Sequence, residues 1–337
     1  MISPSSSSST GRGTAPITVL GTGSIGKRHL TALRRVCPLP PIAVPIRPER
    51  IGPLREEGWT TASSLEEARS MGSDRAVIAT ETLRHPDDAL RALSLGMKAL
   101  IEKPAAADAD GAARILEAAD RLGEDARVAC VLRYSEGLLR LRSLLPEIGP
   151  VSSAFIECRS YLPDWRPDRP YLSSYSARAE DGGVLRDLIH EIDYAGWLFG
   201  WPESVEASLF NDGVLGIEAE ERADLAWTAP TGCRVRVGLD YLTRPPTRRA
   251  AIVGKSGELF WDALAGTIRL TVKNRALPDI SVESDLEHAY EAQIRSWIDA
   301  EASPDRPAPI ADGVAALAIC DAARRSSETG ARAEVVR

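Results

Sequence analysis

The sequence predicts an α/β domain built on a doubly wound parallel sheet, followed by an α+β domain with an open-faced, mainly antiparallel sheet. Three observations carry that expectation. The 337 residues exceed what one hydrophobic core usually supports. Up to residue 135, β-branched runs alternate with helical stretches, the rhythm of βαβ units. Beyond residue 150, strand-like runs follow one another across short turns such as TGC and KSGE, which indicates antiparallel pairing.

In chain order, PITVL is a first strand, and the segment after it is a helix on which Leu30, Leu33 and Val36 recur at helical spacing. PIAVPI is a second strand, short or distorted because Pro45 removes a ladder donor. In TTASSLEEARS, Ser63 or Ser64 caps a short helix. RAVIAT is a buried strand, and HPDDALRALSLG is a helix with Pro and acids in its first turn and Gly at its end. KALIEKP and ARVACVL are strands on either side of a capped helix, DADGAARILEAADRLG. A helix is expected over 183–199. SVEASLF, RADLAWTA, CRVRVGLDYL, RRAAIVG, GELFWDAL and TIRLTVK then supply the second sheet. LEHAYEAQIRSWIDA and ADGVAALAICDAARRSSETG close the chain as helices.

Composition narrows the class. With 44% hydrophobic and 26% charged residues the chain reads as an ordinary globular protein. A net charge of −7 offers no basic surface for nucleic acid or an anionic membrane. No stretch approaches the ~18–20 apolar residues of a membrane helix. The Ser-rich start lacks a hydrophobic run and reads as a disordered tail over 1–15 rather than a signal peptide. Five scattered cysteines without a C-x-x-C pair fit free thiols in a reducing, cytoplasmic setting.

GTGSIG follows the first strand and opens a helix, the context that gives G-x-G-x-x-G its meaning. Gly21 permits the tight turn, Gly23 lets backbone approach a pyrophosphate, and Gly26 allows close helix–strand packing. The N–H groups of Ser24 and Ile25 open the helix toward the phosphates. An NAD site usually carries an acidic residue on the ribose about twenty residues further on. Here Arg47 stands just past the second strand, which suits the 2′-phosphate of NADP; Glu49 keeps NAD open as the alternative.

VLGTGSIGKRHL at 19–30, IEKP at 101–104 and GGVLRDLIHEID at 182–193 together resemble the Gfo/Idh/MocA family of NAD(P)-dependent oxidoreductases, over nearly the whole chain from residue 16. YLPDWRP and YSAR resemble a sub-group associated with sugar-modifying pathways. The resemblance implies a Rossmann domain over 16–135 and a substrate and oligomerisation domain over 136–310. It further implies a segment, 311–337, whose helix packs back on the Rossmann domain. It implies hydride transfer to or from a sugar, nucleotide sugar or cyclitol, and a homo-oligomer, dimer or tetramer, assembled through the second sheet. Lys103 matches the lysine that contacts the nicotinamide ribose and reacting hydroxyl, with Glu102 beside it and Pro104 aiming the loop. His190 matches the general acid/base and Asp187 the carboxylate that touches substrate. Thr80, Thr82 and His85 fall where the family lines the nicotinamide, and Tyr134 where it lines the substrate. Asp187 and His190 are three apart, whereas many members space them four apart. Either spacing shares one helix face. The usual triple glycine reads Asp181-Gly182-Gly183.

Oxidising an alcohol requires a base as hydride leaves, and histidine suits that work near neutral pH. Lys103 would stabilise alkoxide, and Asp187 would orient the imidazole. HEIDY lacks the second histidine of H-E-x-x-H, so no catalytic metal is expected. Asp193 is expected to bond backbone or an arginine, and His29 to be a helix-surface or packing residue. Trp165, Arg166, Tyr175 and Arg178 lie in a segment mixing aromatics with arginines. Aromatic faces stack on sugars and guanidinium groups bind carboxylate or phosphate. That composition reads either as a loop for an anionic sugar or as an interface arm. Two other classes stay open: a retained-cofactor glycosidase or epimerase, and a cofactor-sensing module without chemistry.

Overall fold

The computed structural model describes residues 15–299 and 306–337. All but Ala15 of the expected N-terminal tail lies outside them. The first domain runs β1 (Ile17–Leu20), α1 (Ser24–Val36), β2 (Ile42–Val44), α2 (Ile51–Glu56), β3 (Thr60–Thr61), α3 (Leu65–Ser70), β4 (Arg75–Ile78), α4 (His85–Ser94), β5 (Lys98–Ile101), α5 (Ala109–Leu122) and β6 (Ala126–Val128). These strands pair in parallel in the order β3-β2-β1-β4-β5-β6. That is the doubly wound order, and the crevice for a ligand opens where it reverses, between β1 and β4. Val19, Val77 and Leu100 are fully buried, as strands covered on both faces require. Strand β2 stops at Val44, just before Pro45. The hydroxyl of Ser64 accepts from the Glu67 N–H to cap α3, and Asp108 accepts from Gly111 to cap α5.

The second domain contains α6 (Glu136–Leu144), β7 (Val151–Tyr161), α7 (Val184–Asp187), α8 (Ile189–Phe199), β8 (Ser204–Phe210), β9 (Arg222–Thr228), β10 (Arg234–Asp240), β11 (Leu242–Gly254), β12 (Gly257–Asp262), β13 (Thr267–Val272), β14 (Arg275–Ala276) and β15 (Ile280–Ser281). After it come α9 (Glu287–Ile298), β16 (Ala308–Pro309), α10 (Ile310–Thr329) and β17 (Ala333–Glu334). The sheet order is β14-β13-β12-β11-β7-β10-β9-β8-β17, with β15 also on β13. Its pairs are antiparallel except β7 with β10.

Two departures from the sequence reading stand out beside the unforeseen helices α2 and α6. Strand β7, central in the sheet, was not foreseen: Ser152, Ser153, Glu157 and Arg159 dilute its apolar alternation. The helix expected over 183–199 is broken at Leu188, whose φ of −99° and ψ of 27° leave the helical region.

Three elements hold the domains together. α9 packs on α1, and α10 packs on α5 from one side and on β8 and α8 from the other. β16 adds an antiparallel edge to β6. Between them Arg133 forks onto Asp193 of α8 at 2.9 and 2.7 Å and reaches Asp312 of α10 at 2.8 Å. This largely buried triad supplies the arginine partner that was one expectation for Asp193.

Candidate active site

The glycine loop is shaped by backbone. Gly21 has φ of +92°, and a Cβ there would stand 2.4 Å from the Ala79 carbonyl oxygen in the loop after β4. A Cβ on Gly26 would stand 1.9 Å from the Gly21 oxygen. Gly23, by contrast, faces open space, with no atom within 4 Å of a Cβ placed on it. It precedes α1 with no side-chain cap, so the N–H groups of Ser24 and Ile25 lack a capping acceptor. An unfilled hollow at a 13-residue helix start, lined by free donors, fits the pyrophosphate of a dinucleotide. Arg47 and Glu49 are both exposed just beyond β2.

The loop after β5 brings the next group. The Lys103–Pro104 bond is cis, and Lys103 Nζ donates to the main-chain oxygen of Asp187 at 2.7 Å. The helix break explains why that oxygen is free. The Glu191 N–H, which would claim it in a continuous helix, bonds Leu188 instead. A single interruption thus lets a lysine from the first domain dock against the second.

The break also corrects the expected Asp187–His190 pairing. The two residues end one helix and begin another, so they do not share a continuous face. The Asp187 carboxylate accepts from the Tyr241 hydroxyl at 2.6 Å, and burial, then the same carboxylate, pushes the Tyr175 phenol well above its usual range. Nothing orients the imidazole through Asp187. His190 Nδ1 is buried with no hydrogen-bond partner. Burial, then Lys103 and Arg248, hold the imidazole well below its usual pKa. Arg248 of β11 lies 2.9 Å from the buried Glu191. Burial pushes the Glu191 carboxyl up against that pairing.

Other expected cofactor contacts serve the scaffold. Glu102 is buried and bonds His29 Nε2 at 2.6 Å and the Lys103 N–H at 3.1 Å. It fixes the lysine loop from behind instead of facing the cleft, and His29 is a fully buried partner, not a surface residue. His85 Nδ1 donates to the Pro104 oxygen at 2.8 Å and its Nε2 stands 3.1 Å from the Thr80 oxygen. Burial lowers its pKa, so the neutral ring has one proton to give, and the shorter contact takes it. His85 therefore latches the loops after β4 and β5 together. The Thr80 hydroxyl donates to Asp88 at 2.8 Å, and Thr82 is buried.

Tyr134 is a further correction. Its hydroxyl donates to Ser296 of α9 at 3.1 Å, in a groove lined by α6 and α9 residues and by none of the other candidates. Trp165 meets Tyr241, the hydroxyl partner of Asp187, edge to face at 5.4 Å. Trp165, Arg166, Tyr175 and Arg178 line one cavity together with Glu81, from the loop after β4. Arg178 is forked onto the buried Asp181. Sequence reasoning missed Tyr241 and Arg248. Tyr241 follows β10 in GLDYL and Arg248 lies within β11, where only an inward-facing polar residue on a strand hinted at them.

A doubly wound sheet with a glycine hollow at its switch point, joined there to a lysine, a low-pKa histidine and a buried carboxylate, defines a dinucleotide-dependent oxidoreductase. Residues 16–130 match the oxidoreductase family model with an NAD-binding Rossmann fold, and residues 146–260 match the Gfo/Idh/MocA C-terminal domain; the chain belongs to the Gfo/Idh/MocA family. It is 25% identical to inositol 2-dehydrogenase 3 of Saccharopolyspora erythraea, covering 94% of each chain. Its fold matches an Agrobacterium radiobacter oxidoreductase solved with NAD+, L-tartaric acid and magnesium, with a TM-score of 0.84 at 18% identity over 95% of this chain and 98% of that one. It also matches UDP-N-acetylglucosamine 3-dehydrogenase of Acidithiobacillus ferrooxidans, with a TM-score of 0.79 at 20% identity over 94% and 98%.

Proposed function

We propose that this chain oxidises a ring hydroxyl, or reduces a ring ketone, of a sugar or cyclitol, with NADP(H) as the preferred cofactor. The bound nicotinamide would take or give hydride at C4. The observation that carries the reading is the 2.7 Å contact from Lys103 to the Asp187 oxygen, which sets a cation from the dinucleotide domain beside the acid and base of the other.

The roles follow from the surroundings of each group. His190, held neutral by burial and by two nearby cations, is ready to accept the hydroxyl proton. Lys103 stabilises negative charge growing on the substrate oxygen. Asp187, one oxygen engaged by Tyr241, keeps acceptor capacity for a substrate hydroxyl, which fixes the ring. Arg248 neutralises Glu191, so no free carboxylate raises the imidazole's basicity. The inositol dehydrogenase name of the relative and the aromatic cavity wall support a polyol ring as substrate.

The test is Lys103→Ala. Dinucleotide binding, followed by fluorescence titration, should survive, while turnover of cyclic polyols falls by roughly 10²-fold or more. Unchanged turnover would sink the reading.

A further inference from the structure

The cavity beside the reaction centre is lined with charge opposite in sign to that of the chain as a whole. The chain carries a net charge of −7. Yet the cavity, of about 280 Å³, has Arg166, Arg169 and Arg178 in its lining against a single carboxylate, Glu81. The arginines are not equivalent. Arg178 is committed to Asp181 at 2.7 and 2.5 Å. Just outside, Arg159 has Glu157 and Asp240, and Arg244 forks onto Asp164 at 2.8 Å. Among the described residues no hydrogen bond or ion pair claims the side chains of Arg166 and Arg169, although acids neighbour both in sequence.

Arg166 is also close to the chemistry. It lines the same cavity as Tyr175, whose phenol, raised by burial and then by the Asp187 carboxylate, it partly offsets; the Asp187 main chain receives Lys103. One phenol therefore separates the free guanidinium from the reaction centre. Trp165 forms a neighbouring wall, anchored by its indole N–H donating to Ser160 at 2.9 Å.

We infer that Arg166, assisted by Arg169, binds an oxyanion carried by the substrate, so that this enzyme takes an anionic sugar or cyclitol and not a neutral ring. The inference rests on the function proposed above and names the substrate class of that site. A planar guanidinium matches a carboxylate or a phosphate bidentately, and fixing that group would hold the ring against the aromatic wall with a hydroxyl toward His190.

The experiment compares matched probes, glucose, glucuronate and glucose 6-phosphate, by calorimetry on the NADP-loaded enzyme and by kcat/KM. At least one anionic probe should bind tenfold or more tighter than glucose. Arg166→Ala should erase that ratio, and Arg166→Lys should keep part of it. Preference for glucuronate identifies a sugar acid, and preference for the phosphate identifies a phosphate ester; either supports the subsite. Glucose binding as tightly as both anions overturns it, as does a ratio that survives in the Arg166→Ala/Arg169→Ala double variant. Turnover of glucose alone overturns the anion subsite and leaves the oxidoreductase reading standing. Tight anion binding with no turnover of any probe supports the subsite and counts against hydride transfer.

Discussion

The two halves of the cleft are built by different means. On the dinucleotide side the chain supplies absences: Gly21, Gly23 and Gly26 withhold side chains, and the first two N–H groups of α1 have no capping side chain. On the side proposed to take the substrate it supplies side chains from segments far apart, Lys103, Tyr175, Asp187, His190, Tyr241 and Arg248. Each is set by a hydrogen bond, an ion pair or a helix break. A backbone cradle is local and tolerates no extra atom. A side-chain constellation is non-local and should lose function in separable steps.

The largest expected effect comes from the cradle. In Gly26→Ala the new methyl would meet the Gly21 oxygen at 1.9 Å, backbone against backbone, with no flexible end to yield. Stability should fall by about 1–3 kcal/mol or more, and dinucleotide binding should be lost with it. Gly23→Ala separates packing from binding. Its methyl enters open space, so thermal unfolding should match the parent while the dinucleotide Kd rises tenfold or more. Parental affinity in Gly23→Ala would mean that the hollow is not the phosphate site.

On the other side the steepest step is His190→Ala, which should cost roughly 10²–10⁴ in kcat while cofactor affinity holds. The pH dependence sharpens it. The imidazole's pKa is depressed by burial, Lys103 and Arg248, so the acid limb of kcat/KM should lie below the ordinary histidine value of about 6.5. The unfolded chain takes up a proton near pH 6.5 that the folded chain refuses. This residue's contribution to stability is therefore complete above that pH and declines as pH falls below it. An acid limb that stays in place in His190→Ala would assign the base to another group.

The same contrast decides what could be read from sequence. The cradle was legible because its cause is contiguous: strand, three glycines and helix fall within twenty residues. Pro45 likewise foretold a short β2, and a serine at 63 or 64 the cap of α3, each through local stereochemistry. The substrate side was legible only in part. Motifs pointed to Lys103, Asp187 and His190, the residues proposed here for the chemistry, but not to the break at Leu188, since nothing in VLRDLIHEID opposes a continuous helix. It forms where a lysine eighty-four positions earlier takes the carbonyl oxygen. Tyr241 and Arg248 matter only once β10 and β11 are aligned in the sheet. Glu102, His85 and Tyr134 were misjudged for the complementary reason: sequence placed them at the right loops but not which way they turn. His29, Pro104 and Ser296 claim them inside the scaffold.

The smallest expected effect tests a position between the two modes of construction, a side chain at the rim of the backbone cradle. Arg47 and Glu49 are both exposed beyond β2 and offer opposite answers to the ribose. If the guanidinium meets the 2′-phosphate, Arg47→Ala should weaken NADP by about 1–2 kcal/mol and leave NAD nearly unchanged, because only NADP carries the group it grips. The exposed position keeps the effect modest and salt-sensitive, so the loss should shrink as ionic strength rises. Equal losses for both cofactors would instead mark Arg47 as a contact to the shared part of the dinucleotide. A gain for NAD in Glu49→Ala would argue that repulsion, not an acid on the ribose hydroxyls, is what Glu49 contributes at this edge.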